Sequence, residues 1–175
     1  MIAITRQVAS PHSHRSLWNG FTLIELVVAI AIILTLAAIA IPNLLRARMA
    51  ANEASTVSSV RTINAAEVSY YSMFGAYAPN LASLGGAAPC SPTRGSACLI
   101  DDKLANATAG TGKTGYLFFV EGSGDGSQYV VKAWPVTPNT TGTRSFCSTE
   151  DAVVRVNSSG GMIEDREACL ALPAI

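Results

Sequence analysis

Histidine is almost missing from this sequence. Only His12 and His14 occur, both within the first twenty of 175 residues. A mature form without that segment has no histidine, so Ser–His and Cys–His nucleophile pairs and histidine metal sites are excluded from it. Charge is scarce too, at 14 % of residues against 49 % hydrophobic. The 12 basic and 12 acidic residues cancel; without Arg6 and Arg15, the 10 basic and 12 acidic that follow Gly20 leave a net charge of −2. That balance offers no broad cationic footprint, and no nucleic-acid partner is expected. Closely spaced cysteines are lacking as well. Cys90, Cys98, Cys147 and Cys169 include no C-x2–4-C pair of the kind a structural zinc site uses. These absences point away from an enzyme and from a metal or other cofactor.

The longest gap in charge is the most informative. From Ser16 to Leu45 the one charged residue is Glu25. Within that window Phe21 to Ile41 reads FTLIELVVAIAIILTLAAIAI. As a helix these 21 residues span about 31 Å, the thickness of a hydrocarbon core. A buried core helix is rarely apolar around its whole circumference for that length. The competing reading is an ordinary signal peptide cut after Ala38-Ile39-Ala40, leaving a secreted binding module that starts at Ile41. The length of the run and the acid near its start argue against it. Arg6 and Arg15 flank one side and Arg46, Arg48 and Arg61 the other, so the positive-inside rule does not assign an orientation.

The run opens with Gly20-Phe21-Thr22-Leu23-Ile24-Glu25 and ends near Ile41-Pro42-Asn43. A small residue, a Phe, an apolar stretch with one acid four residues after the Phe, and a proline near the far end closely resemble the type IV pilin and type II secretion pseudopilin superfamily. The resemblance covers Gly20 to about Arg48. Asn19 departs from it, standing where the family often has a basic residue. The resemblance implies cleavage by prepilin peptidase between Gly20 and Phe21 and N-methylation of Phe21. It also implies an inner-membrane precursor with its C-terminal part in the periplasm, and assembly with other copies and related pilins by a pilus or secretion machinery.

Glu25 has a physical argument of its own. A carboxylate within a bilayer-embedded helix costs about 2.5–3.5 kcal/mol on insertion scales and usually has a partner. Nothing charged in the same segment can serve. Cleavage before Phe21 creates one candidate, the new α-amine, about one helical turn away in the same chain or facing Glu25 from a neighbouring subunit. In low dielectric that pairing is strong and fixes axial register, although desolvation offsets much of the gain. The resemblance favours the intersubunit version. Pro42 removes an amide donor and crowds the preceding turn; the resemblance reads that irregularity as an aid to helix packing in a filament.

Beyond Pro42 the chain stays rich in Ala, Glu and Arg, with no Gly or Pro until Gly75. Val57, Val60, Ile63, Tyr70 and Phe74 recur at helical spacing, which predicts one helix from about Thr22 to Met73, amphipathic in its second half and stopped by Gly75. Tyr70, Tyr71, Phe74 and Tyr77 mark where it packs on the rest. Ala76 to about Gly115 reads as loop-rich, with Leu81 and Leu84 tucked inward; Tyr77 to Gly85 resembles the connector after the long helix of pilins and pseudopilins. Tyr116–Glu121 and Gln128–Trp134 flank a Gly/Asp/Ser-rich turn and predict a hairpin. In its second strand Tyr129, Val131 and Ala133 alternate with Gln128, Val130 and Lys132, as in a half-buried strand. A second pair is expected at Arg144–Thr149 and Ala152–Val156. The expected fold is α+β, a long N-terminal helix on a three- or four-stranded antiparallel sheet. An even cysteine count in a small exported domain reads as two disulfides. Cys90 and Cys98 can close a small loop and Cys147 can join Cys169, but the sequence leaves the connectivity open.

Three features tempt toward other chemistry. Ala107–Thr114, ATAGTGKT, misses the phosphate-binding pattern only at Ala107, yet a predicted strand follows where a helix is needed. The acidic pairs Asp101-Asp102, Glu150-Asp151 and Glu164-Asp165 lack EF-hand spacing and read as solvated loop charges. Sequons begin at Asn106, Asn139 and Asn157, as chance allows in a chain rich in Ser and Thr. The organisation expected is therefore a leader over 1–20, a long helix over 21–74 with 21–41 in the membrane, and a disulfide-bonded head over 75–175. The function expected is a structural subunit of a type IV pilus-like filament, at the cell surface once assembled, with a pseudopilin of a periplasmic filament as the alternative.

Overall fold

A computed structural model describes residues 20–110 and 112–175. The leader expected over 1–20, with His12, His14, Arg6, Arg15 and Asn19, lies outside the described residues apart from Gly20. One helix, α1, runs Leu23–Phe74. Contacts divide the chain between Ala40 and Ile41 into two compact units.

In the first unit α1 is formed by a run of Leu, Ile, Val and Ala. The β-branched residues there favour strands in water. In lipid the helix wins, because it satisfies every backbone polar group within the segment. The one hydroxyl of the run beyond Thr22, Thr35 Oγ1, donates back to the Ile32 carbonyl at 2.8 Å. Apart from the half-exposed Ala37, every side chain from Phe21 to Ala40 is exposed. α1 is long and apolar enough to cross a membrane.

The second unit is built on the amphipathic part of α1. Val60, Ile63, Ala66 and Tyr70 are buried at spacings of three and four residues. They meet one face of a four-stranded antiparallel meander: β1 (Tyr116–Gly122), β2 (Tyr129–Pro135), β3 (Ser145–Thr149) and β4 (Arg155–Asn157). The register places Phe118 opposite Ala133, Val120 opposite Val131, Ala133 opposite Phe146, and Phe146 opposite Val156. These residues alternate along their strands and form the inward face. Burying Phe118 and Phe146, each fully covered, contributes about 1.5–3 kcal/mol apiece.

The helix, the hairpin and the antiparallel sheet agree with the sequence reading, and the sheet has four strands. Several details differ. β2 is not half-buried: Val130 and Lys132 are as covered as Tyr129, Val131 and Ala133. The reason lies some thirty residues further on. Ile163, Cys169 and Leu172 pack over Val130 and Cys147 and close the outer face of the sheet. The helix α4 (Arg166–Leu170), which Asp165 caps by accepting from the Ala168 amide at 2.7 Å, belongs to that cover and was not expected. β4 begins at Arg155, not Ala152. Thr149–Ala152 is instead a turn, with Ala152 at φ +58° and its amide bonded to the Thr149 carbonyl. The region between α1 and β1 contains two one-turn helices, α2 (Leu81–Leu84), capped by Asn80, and α3 (Asp102–Ala105), capped by Asp101. Leu81 and Leu84 are buried in the core.

Candidate functional site

The described residues open with Gly20, Phe21 and Thr22 in non-helical backbone, all exposed. Thr22 is the cap of α1. Its carbonyl accepts from the Leu26 amide at 3.2 Å, and its hydroxyl lies 3.3 Å from the Glu25 amide that donates to it. The same hydroxyl is 3.4 Å from Glu25 Oε2. Thr22-x-x-Glu25 is thus a capping-box spacing, which satisfies free amides at a helix start. Sequence reasoning assigned Glu25 a charge partner and overlooked this local role, although the S/T-x-x-E signature was legible. Among the described residues the Thr22 hydroxyl is the one hydrogen-bond partner of the Glu25 carboxylate. A carboxylate in the first turn of a helix is also favoured by the helix dipole. Pro42 lies inside α1, which continues past it without the hydrogen bond that its missing amide would give.

In the second unit the four cysteines form two bonds. Cys90 is joined to Cys98, with Cα atoms 6.0 Å apart, and Cys147 to Cys169, at 5.9 Å. The first closes a loop whose tip, Thr93–Ser96, is a tight turn docked on the end of α1. There the Arg94 Nη2 donates to the Phe74 carbonyl at 2.8 Å, its guanidinium stands 5.6 Å from the Phe74 ring, and its carbonyl accepts from the Tyr70 hydroxyl at 2.7 Å. A cation on the last carbonyls suits a helix C-terminus. No spacing in the sequence announces Arg94, because the loop delivers it. The second bond ties β3 to α4, and both of its cysteines are fully buried.

Two buried acids of α1 were also missed. Glu53 Oε1 accepts from the Thr143 amide (2.8 Å) and hydroxyl (2.9 Å) and the Arg144 amide (3.2 Å), while Oε2 accepts from Arg144 Nε at 2.8 Å. Burial alone would raise its pKa, but the hydrogen bonds from Thr143 and Arg144 outweigh it and hold the carboxyl below its ordinary value. Glu67 is fully buried, and its Oε2 accepts from the Ala78 amide at 2.9 Å. A signal was available: Glu53, Val60, Glu67 and Phe74 stand seven apart, so both acids share the helix face of the core residues. Between them Asn64 donates to Ser148 Oγ at 2.9 Å and accepts from the Tyr129 hydroxyl at 3.2 Å.

The residues that suggested other chemistry are engaged locally. The ATAGTGKT run leads through a turn into β1, and its Lys113 pairs with Asp101 at 3.1 Å. Asp102 accepts from Asn106 at 2.9 Å. Glu150 pairs with Arg166 and Asp151 with Arg155. Asp165 caps α4, and the backbone carbonyl of Glu164 accepts from Lys132.

Residues 19–41 match the family described as the prokaryotic N-terminal methylation motif. That motif is the hallmark of type IV pilins and pseudopilins, proteins that are structural rather than catalytic. It implies processing by prepilin peptidase and a filament assembly machinery. No curated protein and no solved structure matches the chain. The chain therefore carries a pilin-type N-terminal segment on an α+β fold.

Proposed function

We propose that this chain is the precursor of a structural subunit of a type IV pilus-like filament. Prepilin peptidase cuts between Gly20 and Phe21, removing a leader of residues 1–20, and Phe21 is N-methylated. Residues 21–41 hold the precursor in the inner membrane as a single span, and residues 75–175 form a disulfide-bonded head in the periplasm. On assembly, α1 packs among other copies and related pilins, Pro42 loosens it locally, and Glu25 faces the Phe21 amine of a neighbour. The observation that carries this reading is the single acid of a 21-residue apolar run, placed four residues after Phe21 within the methylation motif. An ion pair there offsets the cost of the carboxylate and sets register.

Glu25→Ala tests the assignment. The variant should insert in the membrane as wild type does and be lost from the sheared filament fraction. Wild-type filament yield would remove the role given to the acid.

The methylation motif is equally at home in a pseudopilin of a type II secretion system, whose filament stays in the periplasm. Surface filaments containing this chain support the pilin reading. A periplasmic filament whose loss stops protein secretion supports the other.

A further inference from the structure

Glu67 belongs to neither the membrane segment nor the processing site. Its side chain is fully covered, one oxygen accepts from the Ala78 amide, and the other, Oε1, has no hydrogen-bond partner among the described residues. A buried carboxyl satisfied on one oxygen only is costly when charged. Ala78 lies in the connector that follows α1. At its start the connector makes few other backbone hydrogen bonds, the Tyr77 amide on the Gly126 carbonyl at 2.9 Å and the Gly122 amide on the Pro79 carbonyl at 3.4 Å. It is otherwise held by packing, Tyr77 on the Tyr71 and Tyr129 rings and Ala78 in the core. The ionisable groups that share the electrostatics of Glu67 are Tyr77 from the connector and Tyr129 from β2. Glu150 and Asp151 act on the Tyr129 phenol in turn, and Glu150 and Tyr71 on that of Tyr77. All are neutral or acidic at pH 7, and no cation among the described residues is paired with Glu67.

We propose that Glu67 is a pH-sensitive latch between the end of α1 and the connector. Protonated, it is a neutral side chain at home in its enclosure and keeps Ala78 against the helix. Ionised, it gains by reaching water, and the segment around Ala78 opens to let it. Burial pushes the carboxyl up to about 7 from an ordinary 4.5, with the Ala78 hydrogen bond opposing. The closed form therefore binds the proton more tightly than the open form. Its advantage is complete below about 4.5, declines between 4.5 and 7, and is gone above 7. The inference concerns the second unit alone and holds whether or not the chain assembles.

Backbone hydrogen exchange of the full chain in detergent tests it, at pH 5.5 and 8.5 with each rate corrected for intrinsic exchange. The Tyr77 and Ala78 amides should exchange through an opening of their own, less protected than the β2 amides. That opening should be about thirtyfold more populated at pH 8.5 than at pH 5.5. Glu67→Gln, neutral at both pH values, should show one level of protection. Equal wild-type protection at the two pH values would overturn the proposal, and this comparison needs no variant. So would an unchanged pH response in Glu67→Gln, or connector amides that exchange only together with β2.

Discussion

Replacing Cys147 and Cys169 together by Ala should weaken the second unit more than any surface change. The bond spans 22 residues. In the chain-entropy description, releasing a loop of that length from the unfolded ensemble costs about 3 kcal/mol. The structure adds a second contribution. Cys169 sits in α4, and with Ile163 and Leu172 it covers Val130 and Cys147 on the outer face of the sheet. Freed from β3, that segment frays, and Val130 and the buried Lys132 are exposed to water. The expected loss is therefore about 3–4 kcal/mol, or about 1.5–2 M in urea midpoint for a unit of this size. The assay is urea unfolding of detergent-solubilised protein followed by circular dichroism, with limited proteolysis to show whether residues after Asn157 become cleavable first. The Cys90–Cys98 pair, separated by 8 residues, should cost less when replaced, about 2.5 kcal/mol. A Cys147/Cys169 double variant with the wild-type midpoint would refute both the loop argument and the claim that the tail seals the sheet.

Other outcomes follow from the same contacts. Glu53→Gln strips charge from an acceptor of four hydrogen bonds and should cost about 2 kcal/mol, read by the same urea unfolding. Asp151 is held at about 2, against an ordinary 3.8, first by the Arg155 hydrogen bond. Its contribution is present above 3.8 and is lost as pH falls toward 2. Arg155→Gln should therefore raise the midpoint of acid unfolding, measured by circular dichroism across that range. Gly20→Arg should leave the chain at precursor size on an immunoblot; a normal mature band would contradict cleavage after Gly20.

The parts of the fold that were legible are those whose physics is local. The apolar run declares a helix by its length and lack of charge. Val60, Ile63 and Tyr70 declare its buried face by spacing, and the turn before Gln128 declares a hairpin. Lys132 shows where local reading stops: its alternation with Val131 looks like an exposed face, but a segment thirty residues away covers it. Arg94 caps α1 only because a disulfide loop carries it there, and no period in the sequence encodes that meeting. Glu53 and Glu67 were readable in principle, since they keep the heptad of the core, but a carboxylate is normally assigned to solvent. At the proposed processing site the residues came from the motif and from the cost of one charge in lipid. The capping contact of Thr22 with Glu25 came from the structure.

The most direct test is the intact mass and N-terminal sequence of the mature protein purified from cells. The account predicts a chain that begins at Phe21, carries one methyl group on its amine and retains two disulfides. A chain that begins at Ile41, as after ordinary signal-peptide cleavage, or one that keeps residues 1–20, would contradict it.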